Sequence, residues 1–179
     1  DFLQVQIEGK QALLEHKQGQ LERKEDELID EKNNSDALAG HAKNLENESA
    51  FQQRFEAARA EFTESEAQVY KQGNKLTIRL RSLEFPVAKS VLKSSNFPLL
   101  AKVGKVIQGF GKSSVAIEGY TDSDGDKTMN LKLSADRAQA VTSYLVSSSF
   151  INKDSITSTG YGYQKPLASN KTVQGKAQN

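Results

Sequence analysis

The sequence predicts an α/β sandwich, a mixed βαβαβ sheet with helices on one side, preceded by a long helical arm. Three observations carry that expectation. Apolar residues recur every three to four positions up to about residue 72, switch to strict alternation at Leu76, Ile78 and Leu80, then return in two further helical runs separated by short strands. Crossovers through helices between strands imply a mixed sheet with helices on one side.

Residues 1–32 place Ile7, Leu14, Leu21 and Leu28 at seven-residue intervals, with Leu3, Lys10, Lys17 and Lys24 as the companion row. This is half a heptad seam, leucine in one row and lysine in the other. Lysine stems cover apolar surface while their ammonium groups reach water. Asn33-Asn34-Ser35-Asp36 reads as a stop followed by a new N-cap. A break there folds two helices into a hairpin; otherwise the arm is a rod pairing as a coiled coil between chains. The second helical run extends to Gln72, with Phe51, Phe55, Ala58, Phe62, Ser65 and Val69 on one seam. Gly73-Asn74 closes it as a C-cap. The expected domains are thus a helical arm, 1–72, and a globular domain, 73–179.

Leu76 to Leu80 is the first strand, alternating with Thr77 and Arg79. Ser82 to Asn96, with Pro86, is loop. Asn96 caps a helix with Pro98 just inside it, and Leu99, Leu100, Val103, Val106, Ile107 and Phe110 form its buried face. Val115 and Ile117 mark the next strand. Ser134 is the expected N-cap of a helix to Ser148, with Val141, Tyr144 and Leu145 inward. Ile156 to Thr159 is the last strand before a loop, 161–170, and a final helix opening at Thr172.

The chain's charges nearly cancel, with 24 Lys and Arg against 23 Asp and Glu. No basic cluster interleaved with aromatics suggests nucleic acid. There is no cysteine, hence no disulfide framework and no thiolate metal site. His16 and His41 both lie on the arm, away from any paired ligand or nucleophile, so an enzyme is not expected and no cofactor is implied. No stretch is long and apolar enough to span a membrane as a helix. The sequence starts at Asp1 with its one methionine at Met129, and it reads as a mature form or fragment without its targeting segment.

The chemistry gathers between Glu118 and Val141. An arginine in the first turn after a Ser134 cap, Arg137, faces the positive end of the helix dipole, costing about 0.3–1 kcal/mol unless an anion answers it. That anion is either Asp122 or a ligand carboxylate drawn to free helix N–H groups. Together Asp122 and Arg137 suit a small zwitterion. Asp122, Asp124 and Asp126 alternate as in a calcium loop, but Lys127 and Leu133 stand where such a loop needs glycine and glutamate.

Gly119-Tyr120-Thr121-Asp122, Gly125, Asn130, Leu133-Ser134 and Arg137-Ala138 resemble the pattern of the OmpA-like (OmpA/MotB C-terminal) domain family. Gly160-Tyr161-Gly162, Pro166, Asn170, Thr172 and the run Gly175 to Asn179 match its second conserved stretch. The resemblance spans roughly residues 75–179. It implies the βαβαβ fold and non-covalent binding of peptidoglycan through the diaminopimelate of the stem peptide. Asp122 would take the ammonium and Arg137 the carboxylate, Thr121 and Asn130 would orient the loop or donate, and Tyr120 and Tyr161 would wall the site. The family's sheet has one more strand, opening with paired arginines, beyond Asn179. The resemblance also implies a periplasmic place attached to the outer membrane, as in a lipoprotein. The arm would be a spacer, or the contact for a second copy or an envelope partner. A coiled-coil scaffold with a non-binding wall domain is the alternative.

Overall fold

The computed structural model describes residues 2–164 and Thr172, apart from the side chains of residues 3–5. The first element, α1, is one unbroken helix, Phe2–Ala60. The hairpin expected at Asn33-Asn34 is therefore not formed. Asn, Ser and Asp each cost a helix interior only up to about 0.7 kcal/mol relative to alanine. Such a run marks a cap without enforcing one, and none of the three prolines lies in it. The packing divides the chain after Ala50 into an N-terminal unit and a C-terminal unit opening at Phe51.

In the N-terminal unit α1 exposes its leucine stripe. In the C-terminal unit the last turns of α1 are anchored. Phe51 packs edge-on against Phe110 at 5.7 Å, and Ala58 is buried.

Residues 61–72 are not helical, contrary to the expectation. A turn at Thr63–Glu66 leads into β1, Ala67–Gln72, which pairs antiparallel with β2, Lys75–Leu80. Gly73-Asn74 is their two-residue hairpin loop, Gly73 taking φ 57°, the left-handed conformation such loops assign to glycine. The four-and-three spacing that ran on through Phe62 and Val69 is equally a period of two over Ala67, Val69 and Lys71. Short runs do not separate the two periods.

Glu66 ties this turn together. Its carboxylate accepts from the Thr63 N–H and hydroxyl and from the Lys102 ammonium at 2.7 and 2.8 Å, while its carbonyl accepts from the Arg81 N–H. The Lys102 hydrogen bond, then the Thr63 N–H, hold its pKa near 2, against an ordinary 4.5. A depressed carboxylate pKa stabilises the fold above its unfolded value and loses that effect as pH falls toward the folded one. We therefore expect wild-type stability to exceed that of Glu66→Gln at pH 6, the gap closing between pH 4.5 and about 2. Urea melts across that range check it, and a pH-independent gap would refute it.

Asn96 stands at the start of α2, Phe97–Gly109, with Pro98 in its first turn as expected. Its buried side chain does not cap the helix. It donates to the Glu84 carbonyl at 2.7 Å and accepts from the Glu84 N–H, pinning the 82–96 loop. Then come β3, Val115–Gly119, α3, Lys127–Ser147, and β4, Ile156–Gly160. β3 and β4 pair in parallel, Val115 opposite Ile156 and Gly119 opposite Gly160, with α3 across both. The core joins Leu100, Val103 and Ile107 of α2 to Val141 and Leu145 of α3 and Ile156 of β4, with Leu80 and Ile117 packed against it.

The α/β class is as expected, but the strands form two separate pairs among the described residues instead of one mixed sheet. The helix expected from Thr172 lies outside the described residues, Thr172 itself excepted.

Candidate functional site

The site stands where β3 and β4 end against α3. Gly119 and Gly160 face each other across the ladder, and α3 crosses close above them. A Cβ on Gly160 would lie 2.2 Å from the Ala135 nitrogen, and one on Gly119 would lie 2.1 Å from the Ser134 carbonyl oxygen. Ser134 is fully buried there, its hydroxyl donating to the Leu131 carbonyl and accepting from the Gly162 N–H at 2.9 Å.

Ser134 is thus mid-helix, not the N-cap. The cap is Asp126, whose carboxylate accepts from the N–H groups of Thr128 and Met129 at 2.9 and 3.0 Å. Arg137 lies well inside α3, not in its first turn, so the helix dipole does not bear on it as the sequence suggested. The effect fades beyond the terminal turn. Nor do the helix's terminal N–H groups sit beside Arg137, and Asp126 occupies two of them.

What holds Arg137 is the 82–93 loop. Its Nε–H donates to the Lys89 carbonyl at 3.1 Å, and its guanidinium lies 4.9 Å from the centre of the Phe85 ring. Burial lowers its pKa while the charge of Asp122 opposes that shift, which puts the two within electrostatic reach. They are not paired. Among the described residues no carboxylate stands within 4.0 Å of Arg137.

Asp122 folds its own loop, Oδ1 accepting from the Asp124 N–H at 3.1 Å. Asn130, buried, donates to the Asp124 carbonyl at 2.8 Å and braces that loop from α3. Thr121 is buried with its N–H on the Gly162 carbonyl, while its hydroxyl oxygen has no hydrogen-bond partner among the described residues. Tyr120 and Tyr161 stack at 5.4 Å, and the Tyr120 hydroxyl donates to Glu118 at 2.6 Å. Burial, then Glu118, push that phenol above its ordinary range.

The fold therefore brings Asp122, Arg137, Thr121 and the tyrosine pair to the same strand ends, and assigns Asn130 to bracing. Sequence reasoning missed Phe85 and Lys89. They stand 52 and 48 residues before Arg137, so no local pattern links them to it.

The OmpA family model matches residues 84–179. "Probable lipoprotein YiaD" of Escherichia coli is 33% identical over 112 residues, 62% of this chain and 51% of that protein. "Peptidoglycan-binding protein ArfA" of Mycobacterium tuberculosis is 36% identical over 85 residues, 48% of this chain and 26% of that one. The chain thus spans about half or less of the length of these relatives. The crystal structure of a MotB-like protein from Desulfovibrio vulgaris superposes with a TM-score of 0.65 at 23% identity, covering 73% of this chain and 86% of that one. That likeness is one of fold.

Proposed function

This chain belongs to the OmpA family, and we propose that it is a non-enzymatic module that binds peptidoglycan through the diaminopimelate of the stem peptide. One observation carries the reading. Asp122 and Arg137 are held within electrostatic reach of each other, Arg137 by its own scaffold, yet unpaired. A zwitterion placed between them completes both charges, its ammonium on Asp122 and its carboxylate on the Arg137 guanidinium. The side-chain end of diaminopimelate is such a group. Thr121 supplies a buried hydroxyl beside Asp122, and the stacked Tyr120 and Tyr161 supply an apolar wall.

ArfA, which shares 36% identity over the matched stretch, is named for binding peptidoglycan, and the name of YiaD supports a lipoprotein setting. We place the chain in the periplasm, attached to the outer membrane, with the arm as a spacer and as the contact for another copy or an envelope partner. Each charge-assisted hydrogen bond contributes about 1.5–3 kcal/mol net. Two of them suit a weak tether that gains strength when many copies face one polymer.

Calorimetric titration with a diaminopimelate stem peptide and with its lysine counterpart tests this. Lysine keeps the ammonium and lacks the carboxylate. Saturable binding of the first alone is expected. Equal binding of both, or of neither, would overturn the diaminopimelate reading, and neither binding would favour a scaffold acting through the arm.

A further inference from the structure

The N-terminal part of α1 shows a helix with no described partner for its apolar stripe. Ile7, Leu14, Leu21, Leu28, Leu38 and Leu45 are 51–67% exposed. Ile7, Leu14, Leu21 and Leu28 keep one row of a heptad, with Leu13 beside it, and Lys10, Lys17 and Lys24 fill the companion row. Past Glu31 the assignment reverses. Leu38 and Leu45 stand in the companion row, while the first row holds Ser35, Ala42 and Ser49, all small.

We infer that this stripe pairs with the same stripe of a second copy running antiparallel. A parallel, in-register pair sets each row against itself, placing Lys10, Lys17 and Lys24 opposite their own copies in the seam. Three like-charge pairs oppose that arrangement. Reversing one helix sets the first row against the companion row. With Leu21 opposite the second copy's Leu38, Leu14 meets Leu45, and Lys10, Lys17 and Lys24 lie over Ser49, Ala42 and Ser35. At those levels leucine meets leucine and each lysine stem crosses a small residue with its ammonium free to reach water, while Leu28 lies over Glu31. On the flank of the seam, Glu25 of each copy faces Lys32 of the other.

The rows would also match within one chain folded back at Asn33-Asn34. The unbroken helix excludes that fold and hands the match to a second copy. A helix with Gly9, Gly19 and Gly40 and no packed face among the described residues is marginal in water by itself, and pairing would stabilise it. The inference stands apart from the wall-binding reading, and its test contains no wall peptide.

The chain has no cysteine, so single substitutions place unique thiols. Leu21→Cys and Leu38→Cys versions of the 179-residue chain, separately and mixed, are oxidised mildly, and the unmodified chain is weighed by light scattering. The expected results are a mass twice the 19.7 kDa of one chain and a disulfide dimer mainly in the mixture. Leu14→Cys with Leu45→Cys should behave the same way. A Leu21→Glu, Leu38→Glu variant should be monomeric while its C-terminal unit melts unchanged. Cross-linking of each variant with itself in preference to the mixture would show a parallel pair and overturn the proposal. So would a monomer at high concentration, or an intrachain disulfide in a double Leu21→Cys, Leu45→Cys chain.

Discussion

Gly160→Ala is expected to destabilise the fold by about 3 kcal/mol, at the upper end of what an extra buried methylene costs. The added Cβ would stand 2.2 Å from the Ala135 nitrogen, 2.5 Å from the Ser134 Oγ and 2.6 Å from the Ala135 Cα. Two of those atoms are helix backbone, which yields only if α3 moves away from β4. Gly119→Ala meets the Ser134 carbonyl oxygen at 2.1 Å, and the same outcome is expected. Any relaxation lifts the segment that carries Ser134, breaks its acceptance of the Gly162 N–H, and displaces Arg137 one turn on. Gly109→Ala is the control, since a Cβ there meets nothing within 4 Å. Urea denaturation compares the three. A loss under about 1 kcal/mol for Gly160→Ala, below the usual overpacking range, would mean that α3 does not sit as close to the strands as described.

That close approach also explains what was legible in the sequence and what was not. α2 was readable because Pro98 sits in its first turn and its buried face from Leu99 to Ile107 is aliphatic apart from Gly104. β3 and β4 were readable from Val115, Ile117 and Ile156 before paired glycines. The sequence sets the start of α3 eight residues late because, up to Ala138, the helix buries Asn130, Ser134 and Ala138, small or polar residues that hydrophobic periodicity does not register. They are buried because they face glycine and a loop carbonyl, and their hydrogen bonds run to the Asp124, Leu131 and Gly162 backbone. Asp126 and Ser134 are both N-capping residue types. Only the distances to the Thr128 and Met129 N–H groups decide between them. The arm posed the opposite difficulty, since its heptad rows were visible but rows alone do not say whether the partner is the same chain or another. At the site, Asp122 and Arg137 lay on one continuous motif, whereas Phe85 and Lys89 join Arg137 only through tertiary structure.

Those two unanticipated partners lead to the sharper prediction about binding. Arg137→Ala is expected to weaken diaminopimelate stem-peptide affinity by roughly 10- to 150-fold, the equivalent of one charge-assisted contact of 1.5–3 kcal/mol. Arg137→Lys should recover little of it, although it keeps the charge. Lysine has no planar face for the Phe85 ring. It has no second fixed N–H to hold the Lys89 carbonyl while the rest of the fork meets a carboxylate. Asp122→Asn should weaken binding to a similar degree through the ammonium end, and the double variant should lose less than the two single losses multiplied, because both contacts position one small ligand. Stability should barely follow, since Arg137 is partly exposed and its ring contact contributes only about 0.5–1 kcal/mol. Titration against a thermal melt therefore separates grip from fold. Wild-type affinity in Arg137→Lys would show that a point charge suffices and that the scaffold of Phe85 and the Lys89 carbonyl does not set the geometry of the clamp. Loss in both variants with an unchanged melt would assign that loop the task of aiming the arginine.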